Sequence, residues 1–212
     1  MLVIEDDAYG ELAYEGPVEP SLYALAGGRG VIKIGTFSKT IATGLRVGLL
    51  QASPPLIDAM LAPRFDMGLS PYLLRLIAAY VRNGRYEAHL EAVRDLYRRK
   101  RDVMLASLSE SCADLARWHE PRGGFFVWLE LDPRVDPTRL WTAAEAEGVA
   151  YVGGRGFFTD LVATDGMRAS GHPGNAASRF VRLSFSYAAE DQIAEGVQRF
   201  GRALRRSLID QE

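Results

Sequence analysis

Short apolar runs alternate with longer stretches of helical periodicity, and this alternation constrains the fold of the chain more than any other feature of its sequence. Runs of four to seven apolar residues are typical of strands, and their alternation with helical stretches predicts an α/β fold. The predicted strands cover Leu2–Ile4, Val31–Ile34, Val47–Leu50, Phe125–Leu131, Val149–Val152 and Phe180–Phe185.

Two segments carry the helical spacing of apolar residues. The first, Tyr86–Leu108, places its arginines between the apolar positions, so the basic run 98–101 is expected to be a solvated helix face rather than a nucleic-acid patch. The second begins at Glu190-Asp191, because acidic residues favour a helix N-terminus. Between them, Ala163–Ala177 is rich in small and polar residues and is predicted to be a surface loop.

Composition excludes several classes of function. A net charge of −2 gives no reason to expect a nucleic acid or an anionic membrane as partner. No apolar run approaches the roughly 20 residues of a membrane helix. The single cysteine, Cys112, cannot form an internal disulfide, so a cytoplasmic location is expected. The histidines lack metal-ligand spacing, and no metal site is predicted.

The chain begins with an apolar run at its first residue. A strand buried on both faces needs neighbours on each side. We therefore expect further strands of the same sheet to precede Met1 in the complete fold. A boundary between two domains of the chain is expected before the long helix, where Asn83-Gly84 is a turn signal.

Three clusters of residues could carry chemistry. They are Glu5-Asp6-Asp7-Ala8-Tyr9, then Gly35-Thr36-Phe37-Ser38-Lys39-Thr40 with Gly44-Leu45-Arg46-Val47-Gly48, and finally Arg182-Leu183-Ser184-Phe185. Taken singly, the acidic residues are common in loops and a lone lysine is usually a surface charge. Arg182 is harder to dismiss, because a guanidinium inside an apolar strand needs an anionic partner.

Together, the clusters resemble the fold-type-I enzymes that use pyridoxal 5'-phosphate (PLP). The branch they resemble most is aminotransferase class I/II, which contains 2-aminoadipate and kynurenine aminotransferases. Pro121–Trp128 and Arg182–Ser186 look like the C-terminal signatures of that branch, and the resemblance extends from Met1 to about Leu204. It implies the C-terminal part of the aspartate aminotransferase-like fold. Residues 1–83 would be part of the PLP-binding large domain, with an incomplete sheet, and residues 84–212 would be the linking helix and an α+β small domain.

The resemblance also implies the roles of individual residues. Lys39 matches the lysine that holds the cofactor covalently and later shuttles the Cα proton of the substrate. Asp6 matches the carboxylate that keeps the pyridine nitrogen protonated, and Tyr9 matches the phenol that bonds the phenolic oxygen of the cofactor. Asp7 is expected to be a solvated turn residue.

Further positions match the residues that bind anions in the family. Thr36, Ser38 and Arg46 match the donors to the cofactor phosphate, and Arg182 matches the clamp on the α-carboxylate of the substrate. Hydroxyls and planar guanidinium groups suit these anions chemically.

The implied function is transfer of an amino group from an amino acid to a 2-oxo acid, in a family whose full-length members form homodimers. In that family an N-terminal half supplies further cofactor contacts, so this chain alone is expected to bind PLP weakly and to have little activity. Two other hypotheses stay open. MocR-type regulators fuse a DNA-binding domain to the same aminotransferase-like body, with this domain as effector sensor. Other PLP reactions, such as decarboxylation or β-elimination, share the lysine block.

Overall fold

The computed structural model describes residues 1–65, 68–158 and 177–209. Contacts divide the chain into two compact units. The first unit comprises Met1–Leu96 with Arg122–Gly124, and the second comprises Tyr97–Pro121 with Phe125–Glu212. The predicted α/β class is confirmed. The domain boundary predicted at residues 83 and 84 concerns the complete family fold and stays a prediction.

The first unit contains a three-stranded sheet of β1 (Val3–Asp6), β2 (Val31–Thr36) and β3 (Gly48–Gln51), in that order. β1 and β2 are parallel, while β2 and β3 are antiparallel. Its helices are α1 (Leu22–Leu25), α2 (Pro54–Leu61), α3 (Pro71–Arg82) and the first turns of α4 (Arg85–Ser111). Proline in the first turn opens α2 and α3, because its missing N–H has no helical partner there.

One face of this sheet is apolar and exposed. Strand register places Ile4 beside Ile32, and it places Ile34 between Asp6 and Leu50 on the same face. Ile4 is 66% exposed and Ile34 39%, whereas Ile32 is buried at 7%. Leu50 is 41% exposed, and we call Ile4, Ile34 and Leu50 the open face.

The second unit has a four-stranded antiparallel sheet with the order β4-β5-β7-β6. Its strands are β4 (Ala116–Trp118), β5 (Phe126–Leu131), β6 (Val152–Gly153) and β7 (Phe180–Ser184). Its helices are the remainder of α4, then α5 (Pro137–Ala146) and α6 (Glu190–Arg206). The apolar stripe predicted for the last helix is buried, and its members are Ile193, Val197, Phe200 and Leu204.

The structure corrects two sequence predictions in the second unit. The strand expected at Val149–Val152 is only Val152–Gly153, because Val149 donates its N–H to Ala144 O (2.9 Å) and so closes the end of α5. Arg101 does not lie on a solvated face. It is 3% exposed, donates to Pro121 O (3.0 Å) and pairs with Asp102 (2.7 Å). The loop predicted at Ala163–Ala177 lies outside the described residues up to position 176.

The Gly-Gly pair of the Pro121–Trp128 signature has a local structural reason in the first unit. Gly124 donates its N–H to Leu12 O (3.0 Å) and has a φ of 78°, which favours glycine. A Cβ on Gly123 would lie 2.4 Å from Leu12 O, so a larger residue would force the two backbone segments apart.

Candidate active site

Lys39 lies in a tight loop that follows the carboxyl end of β2. The loop is held by its own hydrogen bonds: Ile41 N–H donates to Phe37 O (2.9 Å), and the Thr43 hydroxyl donates to Ser38 O (3.2 Å). Lys39 is half-buried. Its Nζ lies 5.9 Å from the centre of the Tyr9 ring, so the amine faces that ring. The fold therefore brings together a lysine and a tyrosine that are separated by 30 positions in sequence.

Asp6 and Asp7 have different surroundings although they are neighbours. Asp6 is the last residue of β1, is exposed, and lies beside Ile34 on the open face of the sheet. Asp7 points elsewhere and forms an ion pair with Lys33 (Nζ to Oδ2, 2.6 Å). The expectation that Asp7 is a solvated turn residue is wrong, because Lys33 lies within reach and the ion pair leaves the Asp7 side chain only 23% exposed.

The three predicted phosphate donors are distributed over one short region. The Thr36 hydroxyl accepts from Ser38 N–H (3.1 Å) and donates to Val47 O (3.3 Å), which ties the loop to the chain beyond it. Ser38 is buried. Arg46 is exposed and adopts a left-handed backbone conformation with φ 51°. Such strain in a residue other than glycine costs of order 1 kcal/mol and is found preferentially at functional sites.

Arg182 belongs to the second unit, where it lies on β7 between Trp128 of β5 and Val152 of β6. Its guanidinium carbon is 4.0 Å from the centre of the Phe126 ring and 4.7 Å from that of Phe157. In the described part of the chain, its buried Nε has no hydrogen-bond partner. A buried donor on a charged group is costly to leave unpaired, which makes Arg182 a candidate anion-binding residue.

A group of residues beside the lysine loop in the first unit was not predicted from the sequence. Tyr86 donates its hydroxyl to the Glu11 carboxylate, and His89 Nε2 lies 2.9 Å from Thr40 O. Burial, together with the hydrogen bond to Glu11, raises the pKa of Tyr86, so the phenol stays protonated and donates. The i, i+3 spacing of Tyr86 and His89 on a predicted helix was the available signal.

The donor set fits the cofactor that the resemblance implies. A half-buried lysine amine, two hydroxyls and a guanidinium belong to the segment from Thr36 to Arg46, and this combination suits an aldehyde and a phosphate. Asp6 offers a carboxylate at the edge of the sheet where β1 and β2 both end.

Comparison with known proteins agrees with this chemistry. Aromatic-amino-acid aminotransferase 1 of Thermococcus litoralis is 33% identical over 210 residues, which are 98% of this chain and 47% of that protein. The HTH-type transcriptional regulator TauR of Rhodobacter capsulatus is 32% identical over 206 residues, 96% of this chain and 40% of the regulator.

A solved structure extends the comparison to the fold. The alpha-aminoadipate aminotransferase of Thermus thermophilus, crystallised with N-(5'-phosphopyridoxyl)-L-leucine, superposes with a TM-score of 0.80 at 33% identity. The match covers 97% of this chain and 50% of that one. This chain thus spans about half the length of the aminotransferases that it matches.

Among the described residues, no helix has the length and the apolar content needed to cross a bilayer.

The family model described as aminotransferase class I and II matches residues 1–200, almost the whole chain. Enzymes of this class depend on PLP, in keeping with the lysine, hydroxyl and arginine groups described above. The chain belongs to the aminotransferase class I and II family.

Proposed function

We propose that this chain supplies the lysine-bearing half of a PLP-dependent transaminase that moves an amino group from an amino acid to a 2-oxo acid. The observation that carries the proposal is the half-buried amine of Lys39, which faces the Tyr9 ring at 5.9 Å beside the carboxyl ends of two parallel strands. In open α/β sheets, ligands bind at this edge.

Each residue would contribute a defined action. When bound, the cofactor supplies an electron sink for the bonds at the substrate Cα. Lys39 would hold the cofactor and then, as a free amine, remove and return the Cα proton. Asp6 would keep the pyridine nitrogen protonated, Tyr9 would bond the phenolic oxygen, and Arg182 would bind the α-carboxylate. The phosphate donors would be Thr36, Ser38 and Arg46.

The substrate class and the assembly are further parts of this proposal. The matched enzymes are named for aromatic amino acids and for aminoadipate, so a dicarboxylic, aromatic or large apolar amino donor is expected. A homodimer is proposed by analogy with full-length members of the family. A cytoplasmic location is proposed because the single cysteine is a free, buried thiol.

The open face affects how well the chain is expected to bind PLP by itself. Ile4, Ile34 and Leu50 expose apolar area that a folded protein normally covers. The matched aminotransferases are about twice as long, and we propose that the part of them outside the match corresponds to a segment that covers this face and completes the cofactor site. Without it, PLP binding to this chain is expected to be weak and transaminase activity negligible.

The chain offers a clean test, because its sequence contains only three lysines: Lys33, Lys39 and Lys100. The purified chain is incubated with PLP, reduced with borohydride and digested, and the phosphopyridoxyl group is located by mass spectrometry. The proposal predicts substoichiometric labelling that is strongly biased to Lys39, and a Lys39→Arg variant should lose most of it. A matched Lys33→Arg variant should keep it.

Two outcomes would contradict parts of this proposal separately. Equal labelling of the three lysines would overturn Lys39 as the cofactor residue. Stoichiometric trapping at Lys39, with visible absorbance of the bound cofactor, would instead show that the chain needs no second segment.

A second candidate function is supported by the similarity to the regulator TauR, which covers 96% of this chain. In that case the same site would bind an effector molecule and would not catalyse transamination. The sequence encoded upstream of Met1 distinguishes the two, because a helix-turn-helix segment there favours the regulator and its absence favours the enzyme.

A further inference from the structure

The first turns of α4 contact both loops that carry the paired side chains of the candidate site. One loop contains Lys39 and the other contains Tyr9, and the described contacts between α4 and these loops are made by Tyr86, His89 and Arg94. Tyr86 stands three residues before His89 and about two turns before Arg94, so it shares a side of the helix with each of them. All of them belong to the first unit.

The contact with the Tyr9 loop is made through Glu11, two residues after Tyr9. Tyr86 is 6% exposed and donates its hydroxyl to the Glu11 carboxylate. Arg94 Nε donates to the backbone carbonyl of the same Glu11 at 2.7 Å. Leu12 N–H in turn donates to Tyr9 O at 2.9 Å, which closes the short turn between them. Side chain and backbone of Glu11 are therefore both fixed by α4.

The contact with the lysine loop is made at Thr40, the residue after Lys39. His89 Nε2 lies 2.9 Å from Thr40 O, and because a carbonyl can only accept, Nε2 must carry the hydrogen. The ring of Phe37, two residues before Lys39, packs edge-on against Tyr86 at 6.2 Å. Lys39 is thus flanked on both sides along the chain by residues that α4 holds.

We propose that Tyr86, His89 and Arg94 form a clamp that sets the position of the Lys39 amine against the Tyr9 ring. These are positioning residues, since the hydrogen bonds described for them go to Glu11 and Thr40 and not to Lys39 or Tyr9. The inference rests on the proposed function only in taking Lys39 as the reacting amine. It extends that function by assigning a role to a helix outside the sequence blocks that carry the resemblance.

Lysine reactivity tests the clamp without any cofactor. The chain is methylated with formaldehyde and a borane reductant, and the rate at Lys39 is compared with Lys100, which belongs to the second unit. In His89→Ala, the ratio of the Lys39 rate to the Lys100 rate should rise about fivefold, the change expected when one ordinary hydrogen bond no longer holds the loop. Hydrogen exchange at the Ile41 and Ala42 amides should quicken by a similar factor.

Glu91→Ala is the matched control, because Glu91 is exposed on the same helix. Its truncation should leave both the methylation ratio and the exchange rates of the Ile41 and Ala42 amides unchanged. Tyr86→Phe removes one hydroxyl with little change of shape, and it should quicken exchange at the Leu12 amide more than at Ile41. This second variant also provides the answer if His89→Ala fails to fold.

Identical behaviour of His89→Ala and Glu91→Ala would overturn the clamp. So would faster exchange spread evenly over residues 1–96, because His89 would then merely stabilise the unit. The PLP trapping experiment separates the two proposals. Absence of PLP from Lys39 in the unaltered chain would refute the cofactor role, and the methylation ratio would still decide the clamp.

Discussion

The two units of the chain differ in how completely they bury their sheets. In the second unit, the alternating residues Val127, Leu129 and Leu131 of β5 are no more than 1% exposed. In the first unit, Ile4 and Ile34 expose 66% and 39% of their surface on one face of the sheet. One face of the second sheet therefore lies in a closed core, whereas one face of the first sheet leaves apolar area in contact with water.

The unit with the better-buried sheet is not the unit that contains most of the proposed site residues. The residues proposed to hold the cofactor, from Asp6 to Arg46, all belong to the less completely buried unit. The well-buried unit contributes Arg182, a single group proposed to bind the substrate. A site built on an incompletely covered sheet is expected to gain order when the face is covered, since burial of apolar area is the main favourable term in folding.

The largest effect is expected from Phe200→Ala in the second unit. Phe200 is fully buried, and its truncation should lower the free energy of unfolding by about 3–5 kcal/mol. All three tryptophans lie in this unit, so tryptophan fluorescence in a urea titration measures its unfolding alone.

Tyr187→Ala is the matched control in the same unit, because this aromatic side chain is 99% exposed and its loss should change stability by no more than about 0.5 kcal/mol.

The reactivity of Cys112 provides a second measurement of the same unfolding. Burial raises the pKa of its thiol to about 12, so it should resist thiol reagents at pH 8 until the unit opens. Equal effects of the two substitutions would show that this core is not closed.

A smaller effect is expected from Ile34→Ser on the open face. Loss of this exposed side chain should change the protection of the first unit in hydrogen exchange by no more than about 0.5 kcal/mol, and light scattering should show less aggregation. Ile32→Ser, on the same face of the same strand but buried, should cost more than 2 kcal/mol, as expected for truncation of a buried isoleucine (~2–5 kcal/mol). A large loss of protection for Ile34→Ser would mean that the open face is already covered.

The smallest effect is expected from Glu147→Gln in the second unit. The hydrogen bond from Arg202 and the nearby charges of Arg206 and Arg199 hold the pKa of Glu147 below its usual range. A depressed pKa stabilises the fold above the unfolded value of about 4.3, and this contribution is lost as pH falls through the folded value. The variant should therefore unfold at lower urea than the unaltered chain at pH 7, and the difference should shrink toward pH 3.

A difference between these two proteins that stays constant from pH 7 to pH 3 would contradict this assignment. Tryptophan fluorescence again provides the measurement, because Glu147 belongs to the same unit as the three tryptophans.

Prediction from sequence succeeded where a signal is local. The predicted helix at Tyr86–Leu108 is confirmed as Arg85–Ser111, because a long amphipathic stripe specifies its own period. It failed at α1, α2, α3, α5 and β4, which were not predicted. β4 is only Ala116–Trp118, and three residues are too few to display a period. Its pairing with β5 defines it.

The candidate site shows the same division. Motif position was enough to nominate Lys39, Tyr9 and the anion-binding residues. It could not show that Arg101 is buried or that Asp7 pairs with Lys33, because both depend on partners whose distance is set by packing.

The sequence by itself determined the family, the strand-helix alternation and the identity of the residues proposed to react, because motifs and periods are written along the chain. Only the tertiary structure decided which face of the first sheet stays open and which helix holds the lysine loop. Those properties arise from contacts such as His89 with Thr40, which join residues 49 positions apart. No local pattern in the sequence encodes the distance between such residues.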